Sequence, residues 1–415
     1  MICIGLWAIH WLIILYFNPR FFYSDFGIYY YPSRQLLIDP NKFYREHPYY
    51  WDSIPCLPFF GMLWAISISL FPYHIAYFIW YGVNYIFAAL LVLEFNKILK
   101  LLGVKEKINR FLFLIVISNG FLIIMQFALN QSKFFVCALL LFILRREIQY
   151  NKEEKEKDFK YKFITYFLFG MIIGMVPYFI FFLLISIFHD IPFSELFEKE
   201  NLKTYGLVAV IFLSQNFLFI IYPRLIFDYY FIIFRYYQIY QISLAFYYLT
   251  FIHEIFIIPI AVKVIVSVIF LIILYEIIGF LLITKKLKIH EKFSYFAISF
   301  IFLNSIAFKT LIVLIPLTLL LFIPFFHQDE IGRNFIKKNK YVLIGLISVL
   351  GIYLTYDINL TSETRLNILN PYSYYPNLFG GSAGWLIFTI LLGICLLKLH
   401  LDKDFHIVER KTEDC

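Results

Sequence analysis

The sequence predicts an all-α polytopic membrane protein, a bundle of about 11–12 transmembrane helices. Three observations carry this fold class. Hydrophobic residues make up 61% of the 415 and charged residues 15%, whereas a water-soluble domain needs about 25% charged residues to face water. Mean hydropathy is +0.76. The apolar residues also fall into repeated runs. A run of roughly 20 crosses the hydrocarbon as a helix, and in lipid each run must satisfy its own backbone hydrogen bonds.

In chain order the candidate spans are 2–17, 74–95, 111–128, 132–144, 163–188, 205–222, 264–283, 295–308, 310–326, 341–356 and 384–400. The run 2–17 lacks a basic leader and a small-residue cleavage site, so it reads as a retained first helix. The run 163–188 holds Gly170, Gly174 and Pro177, which suit one kinked helix or a tight hairpin of two. The whole chain reads as a single transmembrane domain without an internal repeat.

Lys and Arg set the orientation. They gather in 96–110, in 145–162, in 284–293, in 327–340 and in the tail 401–415. The positive-inside rule places all of these, and both termini, in the cytoplasm. The outer side then receives 18–56, the turn at Asn130 and Gln131, 223–254 and 357–383. A full crossing at 57–71 would reverse the basic 96–110 linker. That run, bounded by Pro55, Pro58 and Pro72, is therefore expected as an interfacial or re-entrant element completing a first outer region, 18–73. The formal charge of +8 reflects basic cytoplasmic loops rather than a nucleic-acid partner. Five scattered cysteines show neither metal-ligand spacing nor a disulfide framework.

The first outer region carries the chemistry. Asp25 follows the first span and precedes an aromatic, cationic stretch. An acid at a low-dielectric boundary is costly unless used or paired. It can act as a general base toward a substrate hydroxyl, or cap the helix that follows. Cations that can hold a phosphate on the outer side are Arg34, Lys42, Arg45, Lys133, Arg224, Arg235 and Lys309, the default alternative being snorkelling to the interface. Arg235 is singled out because its surroundings are apolar and aromatic. Tyr29, Tyr30, Tyr44, Tyr49, Tyr50 and Trp51 can stack on a sugar or form an interfacial belt. His47 and His253 can neutralise a phosphate or hold structural hydrogen bonds. His74 is expected as a satisfied bundle residue, and Glu276 as a paired or snorkelling acid inside its span.

The order Ser24, Asp25, Phe26, then Tyr29 and Tyr30, then Asp39 through Tyr44, then Tyr49, Tyr50 and the Pro55/Pro58 segment resembles the opening of GT-C glycosyltransferases. It is most similar to glycosyltransferase family 87, the polyprenol-phosphate-mannose-dependent mannosyltransferases, and to the catalytic subunits of GPI mannosyltransferase I. Asn130 and Gln131 resemble that family's Gly-Gln turn with Asn in place of Gly. Gly170, Gly174 and Pro177 resemble its Gly-rich helix without the Lys that precedes the Pro. Gln241 to Leu244 match an Asn-Gln-Ser-Leu motif without the Asn, and Ser305 to Phe308 with Pro316 match a Ser-Pro segment without its first Pro.

The resemblance implies a GT-C-like bundle with interfacial helices in the first outer loop. It also implies an inverting sugar transfer, mannose above all, from a polyprenyl-phosphate donor to a lipid or glycan hydroxyl on the outer face. Asp25 would be catalytic. Arg235, Lys133, Lys309 and Arg34 would bind donor phosphate, and Tyr29, Tyr30, Tyr44, Gln131 and His47 would bind substrate. A lone Asp25 stands where the GPI enzymes carry an Asp-x-Asp pair, so no metal and no cofactor is expected. Two other classes stay open: a secondary transporter or flippase of lipid-linked material, which matching halves would favour, and a non-catalytic partner subunit.

Overall fold

A computed structural model of the protein describes residues 26–44, 57–104, 130, 132–191, 193–239, 260–284, 287–303 and 316–320. Among these residues the secondary structure is helical, without a strand. All of them belong to one compact unit. The predicted spans 2–17, 111–128, 341–356 and 384–400, and most of 310–326, lie outside the described residues.

Helix α1 (Phe26–Ile38) ends where it does because Pro40 follows. The residue before a proline is driven out of the helical region, and Asp39 is extended (φ −151°, ψ 96°). Asp39 then caps a single 3₁₀ turn, Pro40–Lys42, accepting the Asn41 N–H at 3.2 Å and pairing with Lys42 at 3.4 Å. Helix α2 (Pro58–Ala65) opens on a proline, whose missing N–H costs nothing at that position. Its eight residues rise only about 12 Å, so α2 cannot cross a bilayer. A 3₁₀ turn (Ile68–Leu70) and Pro72 follow it. The broken element expected over 57–71 is thus present as a short helix and a turn.

Helix α3 (Tyr73–Leu101) has 29 residues, about 44 Å. Among the described residues it is the one helix long and apolar enough to cross a membrane by length and composition. It outruns the predicted 74–95 because Glu94 and Lys97 pair with each other and extend the helix rather than end it. Gly103 (φ 75°) closes it in a left-handed turn. Its exposed residues Ile75, Phe78, Gly82, Ile86, Leu90 and Leu93 fall in one stripe, while Asn84 and Glu94 are buried. A soluble helix shows the opposite arrangement.

Helix α4 (Lys133–Lys152) packs along most of α3. It continues eight residues past the predicted end of its apolar run. The expected charged loop 145–162 shrinks to 153–158, and Arg145, Arg146 and Glu147 are helical. Asp158 caps α5 (Phe159–Met175) by accepting the Tyr161 N–H at 2.7 Å. Gly170 makes room for Gln215 at the end of α7 (Lys199–Gln215). A Cβ there would lie 1.7 Å from Gln215 Oε1, and Gln215 Nε2 donates to the Phe167 carbonyl at 3.0 Å.

A 3₁₀ turn, Pro177–Phe179, separates α5 from α6 (Ile180–Asp190). The two helices share few contacts and reach different partners, α5 touching α2, α4 and α7 and α6 touching α10 and α11. Yet Lys157, just before α5, and Ser186, on α6, both meet Glu147, so the chain doubles back at Pro177 and run 163–188 is a hairpin of two helices rather than one kinked helix. Next come a 3₁₀ turn (Phe193–Glu195), α7 and the four-residue α8 (Leu218–Ile221). Then come α9 (Arg224–Ile239), α10 (Ile260–Ile283) and α11 (Ile289–Leu303). Helix α9 occupies a region the sequence reading left without secondary structure.

Candidate functional site

The segment that follows Asp25 folds as an aromatic platform. Phe26 is fully buried and its ring meets Tyr30, Trp64, Tyr73 and Tyr77 at 5.3–5.8 Å. Tyr29 lies 5.4 Å from Trp64, which lies 4.6 Å from Trp80. Rings at such spacing attract beyond their burial, so α1, α2 and the start of α3 are held as one block. Tyr30 Oη donates to the Phe71 carbonyl at 2.7 Å and accepts Arg34 Nη1 at 3.0 Å. Phe43 packs its ring on Gly61, where a Cβ would lie 2.3 Å from that ring. Only glycine admits this contact. The neighbouring Tyr44 reaches the other way, to Tyr229 of α9 at 5.4 Å.

Tyr29, Tyr30 and Tyr44 are therefore packing residues of the platform, with 7%, 1% and 3% of their surface exposed. Lys42 is engaged by Asp39, and Arg34 is exposed beside Tyr30. Lys133 is the first residue of α4. Arg235 lies on α9, six residues beyond Tyr229, which is about 9 Å along the axis. His74 is exposed at the start of α3 rather than enclosed in the bundle, because it falls on the same exposed face as Phe78 and Gly82. Glu276 is exposed on α10. Asp25, Arg45, His47, Tyr49, Tyr50, Trp51, Gln131, His253 and Lys309 lie outside the described residues.

The turn between the predicted third and fourth spans has a defined geometry at Asn130. Its φ is 47°, a left-handed conformation that Asn tolerates better than most side chains and Gly tolerates best. Asn can thus stand where the resembled family has Gly. Asn130 is fully buried, donates Nδ2 to the Tyr77 carbonyl at 3.1 Å and accepts Asn84 Nδ2 at 2.9 Å.

Two buried acids escaped the sequence reading. Glu94 on α3 is 5% exposed; it accepts Lys97 Nζ at 2.7 Å and is bonded by Arg145 Nε, whose Nη1 donates to Gln149 at 3.1 Å. Glu147 on α4 is 2% exposed and accepts Lys157 Nζ at 2.6 Å and the Ser186 hydroxyl at 3.1 Å. Burial, with the charge of Glu147 adding to it, pushes the Tyr161 hydroxyl well above its ordinary pKa. The Arg146 guanidinium lies 4.5 Å over the Tyr161 ring. These pairs tie α3, α4, α5 and α6 together at the end that carries the basic segments. The signal for them in sequence was weak. The Glu94–Lys97 spacing fits one helix face, but Glu147 reads as part of a solvated charge run.

Among the described residues no group of three His, Cys, Asp or Glu could hold a metal ion. Comparison of the chain with protein-family models, with functionally characterised proteins and with solved structures finds no match.

Proposed function

We propose that the chain is a polytopic membrane glycosyltransferase of the GT-C type, moving a sugar from a polyprenyl-phosphate donor to an acceptor hydroxyl at the outer face. One observation supports it above the others. Residues 26–44, which follow Asp25 directly, form a rigid aromatic platform seated on a helix too short to cross a bilayer. Through Tyr44 and Tyr229 that platform joins the helix bearing Arg235. The apolar exposed stripe of α3 and its buried Asn84 and Glu94 support the membrane setting. So does the exposed face of α10, where Ile265, Ile269, Ile272 and Phe280 surround a single acid, Glu276.

In this reading Asp25 takes the proton of the acceptor hydroxyl as its oxygen bonds to the anomeric carbon. The bond from that carbon to the phosphate oxygen breaks, its electron pair leaves with the lipid phosphate, and the configuration inverts. Arg235, Lys133, Lys309 and Arg34 are the cations proposed to hold the developing phosphate charge.

Transport of lipid-linked material is the second reading. Helix α6, eleven residues long and turned back on α5 at Pro177, favours it, since short discontinuous helices line transporter sites. Membranes carrying the chain, given radiolabelled polyprenyl-phosphate mannose and native lipid extract, separate the two. Label moving to a new acceptor supports the transferase. Label crossing the bilayer on an unchanged donor supports transport and refutes the transferase.

A further inference from the structure

Helix α10 has two opposite faces. Leu274, Ile278 and Leu281 are buried where the helix packs on α6 and α11. The other face is open. Along it Ile265, Ile269, Ile272, Glu276, Gly279 and Ile283 follow one another at alternating steps of four and three residues. The four isoleucines and Glu276 are exposed, and a Cβ on Gly279 would meet nothing within 4 Å. Steps of four and three keep a stripe on one side of a helix and make the seam along which a second helix packs. A glycine in such a seam lets a second backbone come close.

Glu276 is the one charge in this seam. Among the described residues it enters no hydrogen bond or ion pair. Helix α10 carries the predicted span 264–283, and Glu276 lies seven residues, about 10 Å, short of its end at Ile283. A glutamate side chain is too short to reach water from that depth, unlike the long stems of Lys and Arg. Acids within a membrane pair with a cation or face a wet cavity. In a symmetric pair of copies of this chain, one Glu276 would stand against the other, so a second copy supplies no cation here.

We infer that this face of α10 is an interaction surface for a membrane-spanning helix of another protein, one that carries a Lys or Arg level with Glu276. The inference rests on the membrane setting proposed above and not on sugar transfer.

The test reconstitutes the full chain in phosphatidylcholine vesicles with a synthetic single-span Leu/Ala peptide. The peptide carries one photo-crosslinking residue and, level with Glu276, either Lys or Leu. Adducts are mapped by mass spectrometry. The Lys peptide should reach half-maximal cross-linking to α10 at an about 5- to 30-fold lower peptide-to-lipid ratio than the Leu peptide, the range for one interhelical polar contact. Glu276→Gln should remove the difference, and Glu276→Lys should reverse it in favour of a peptide with Glu at that level. Glu276 is exposed, so neither substitution should move thermal unfolding. Equal binding of the two peptides to the wild-type chain overturns the inference, and that comparison needs no variant. A preference that survives Glu276→Gln, or adducts away from α10, overturns it too. A photo-crosslinking residue at position 272 that joins two copies of the chain gives the surface to a second copy and also overturns it.

A lipid-soluble diazirine, added without peptide, checks the setting. It should label α10 within 265–280, and the Lys peptide should protect those positions. If α10 takes no label, the membrane setting fails and the inference with it. If α10 is labelled but the Lys peptide gives no protection, the membrane setting stands and the inference alone falls.

Discussion

Removing Lys157 should destabilise the protein more than neutralising its partner. Glu147 is 2% exposed and Lys157 17%, so the two are not equivalent. In Lys157→Met the carboxylate keeps the Ser186 hydroxyl but loses the cation that neutralises it. Leaving one buried charge uncompensated costs about 3–5 kcal/mol. In Glu147→Gln the amide retains the Ser186 contact, and the lysine, next to the exposed 153–156 turn, can swing its ammonium into water. That substitution should cost about 1.5–3 kcal/mol, the scale of one charge-assisted hydrogen bond. Glu147→Met with Lys157→Met removes both charges and should fall within about 1 kcal/mol of wild type.

The assay is reversible unfolding in mixed micelles by added SDS, read by tryptophan fluorescence. Trp64 and Trp80 lie inside the fold and report on it. A cost for Glu147→Gln equal to that of Lys157→Met, or a double variant as unstable as the sum of the singles, would refute the reasoning.

Gly170→Ala should destabilise by about 1–2 kcal/mol, because the new Cβ displaces Gln215 from the Phe167 carbonyl. In a Gln215→Ala background the same change should stabilise by up to about 1 kcal/mol through helix propensity; the same unfolding assay reads both signs. His290 lies in the first turn of α11, outside the predicted span 295–308, and is 7% exposed. Burial lowers its pKa from 6.5 to about 4, against an opposing pull from Glu291 and with help from Lys288. The folded state thus resists protonation that the unfolded chain accepts. Its stability is intact above pH 6.5 and is lost between pH 6.5 and 4, by about 3 kcal/mol in all. His290→Gln should flatten that loss in a pH series of unfolding titrations, and an unchanged slope counts against it.

Much of the helical architecture was legible because long apolar runs announce helices by their length and composition. The spans near 74–95, 132–144, 163–188, 205–222, 264–283 and 295–308 all correspond to helices. The breaks at Pro58, Pro72 and Pro177 follow from the geometry of one residue type. Where the reading fell short, tertiary pairing was the cause. The helix through Arg145, Arg146 and Glu147 exists because Glu147 finds Lys157 ten residues on and Ser186 on another helix, neither of which a local pattern reveals. Likewise Tyr29 and Tyr30 read in sequence as rings that stack on a sugar or form an interfacial belt. Their burial on Trp64 and Tyr73 came from the fold of α2 and α3 around them. Helix α9 escaped because its aromatic, charged composition has no clean apolar run.

The most direct test of the transferase reading is Asp25→Asn. Asparagine caps a helix about as well as aspartate, and α1 begins at Phe26, so this substitution spares a capping role and removes only the base. Transfer from polyprenyl-phosphate mannose should fall about 10²- to 10⁴-fold, the range for losing general-base catalysis, with protein abundance and thermal unfolding unchanged. Transfer at the wild-type rate by Asp25→Asn would contradict the account and leave Asp25 as a helix cap.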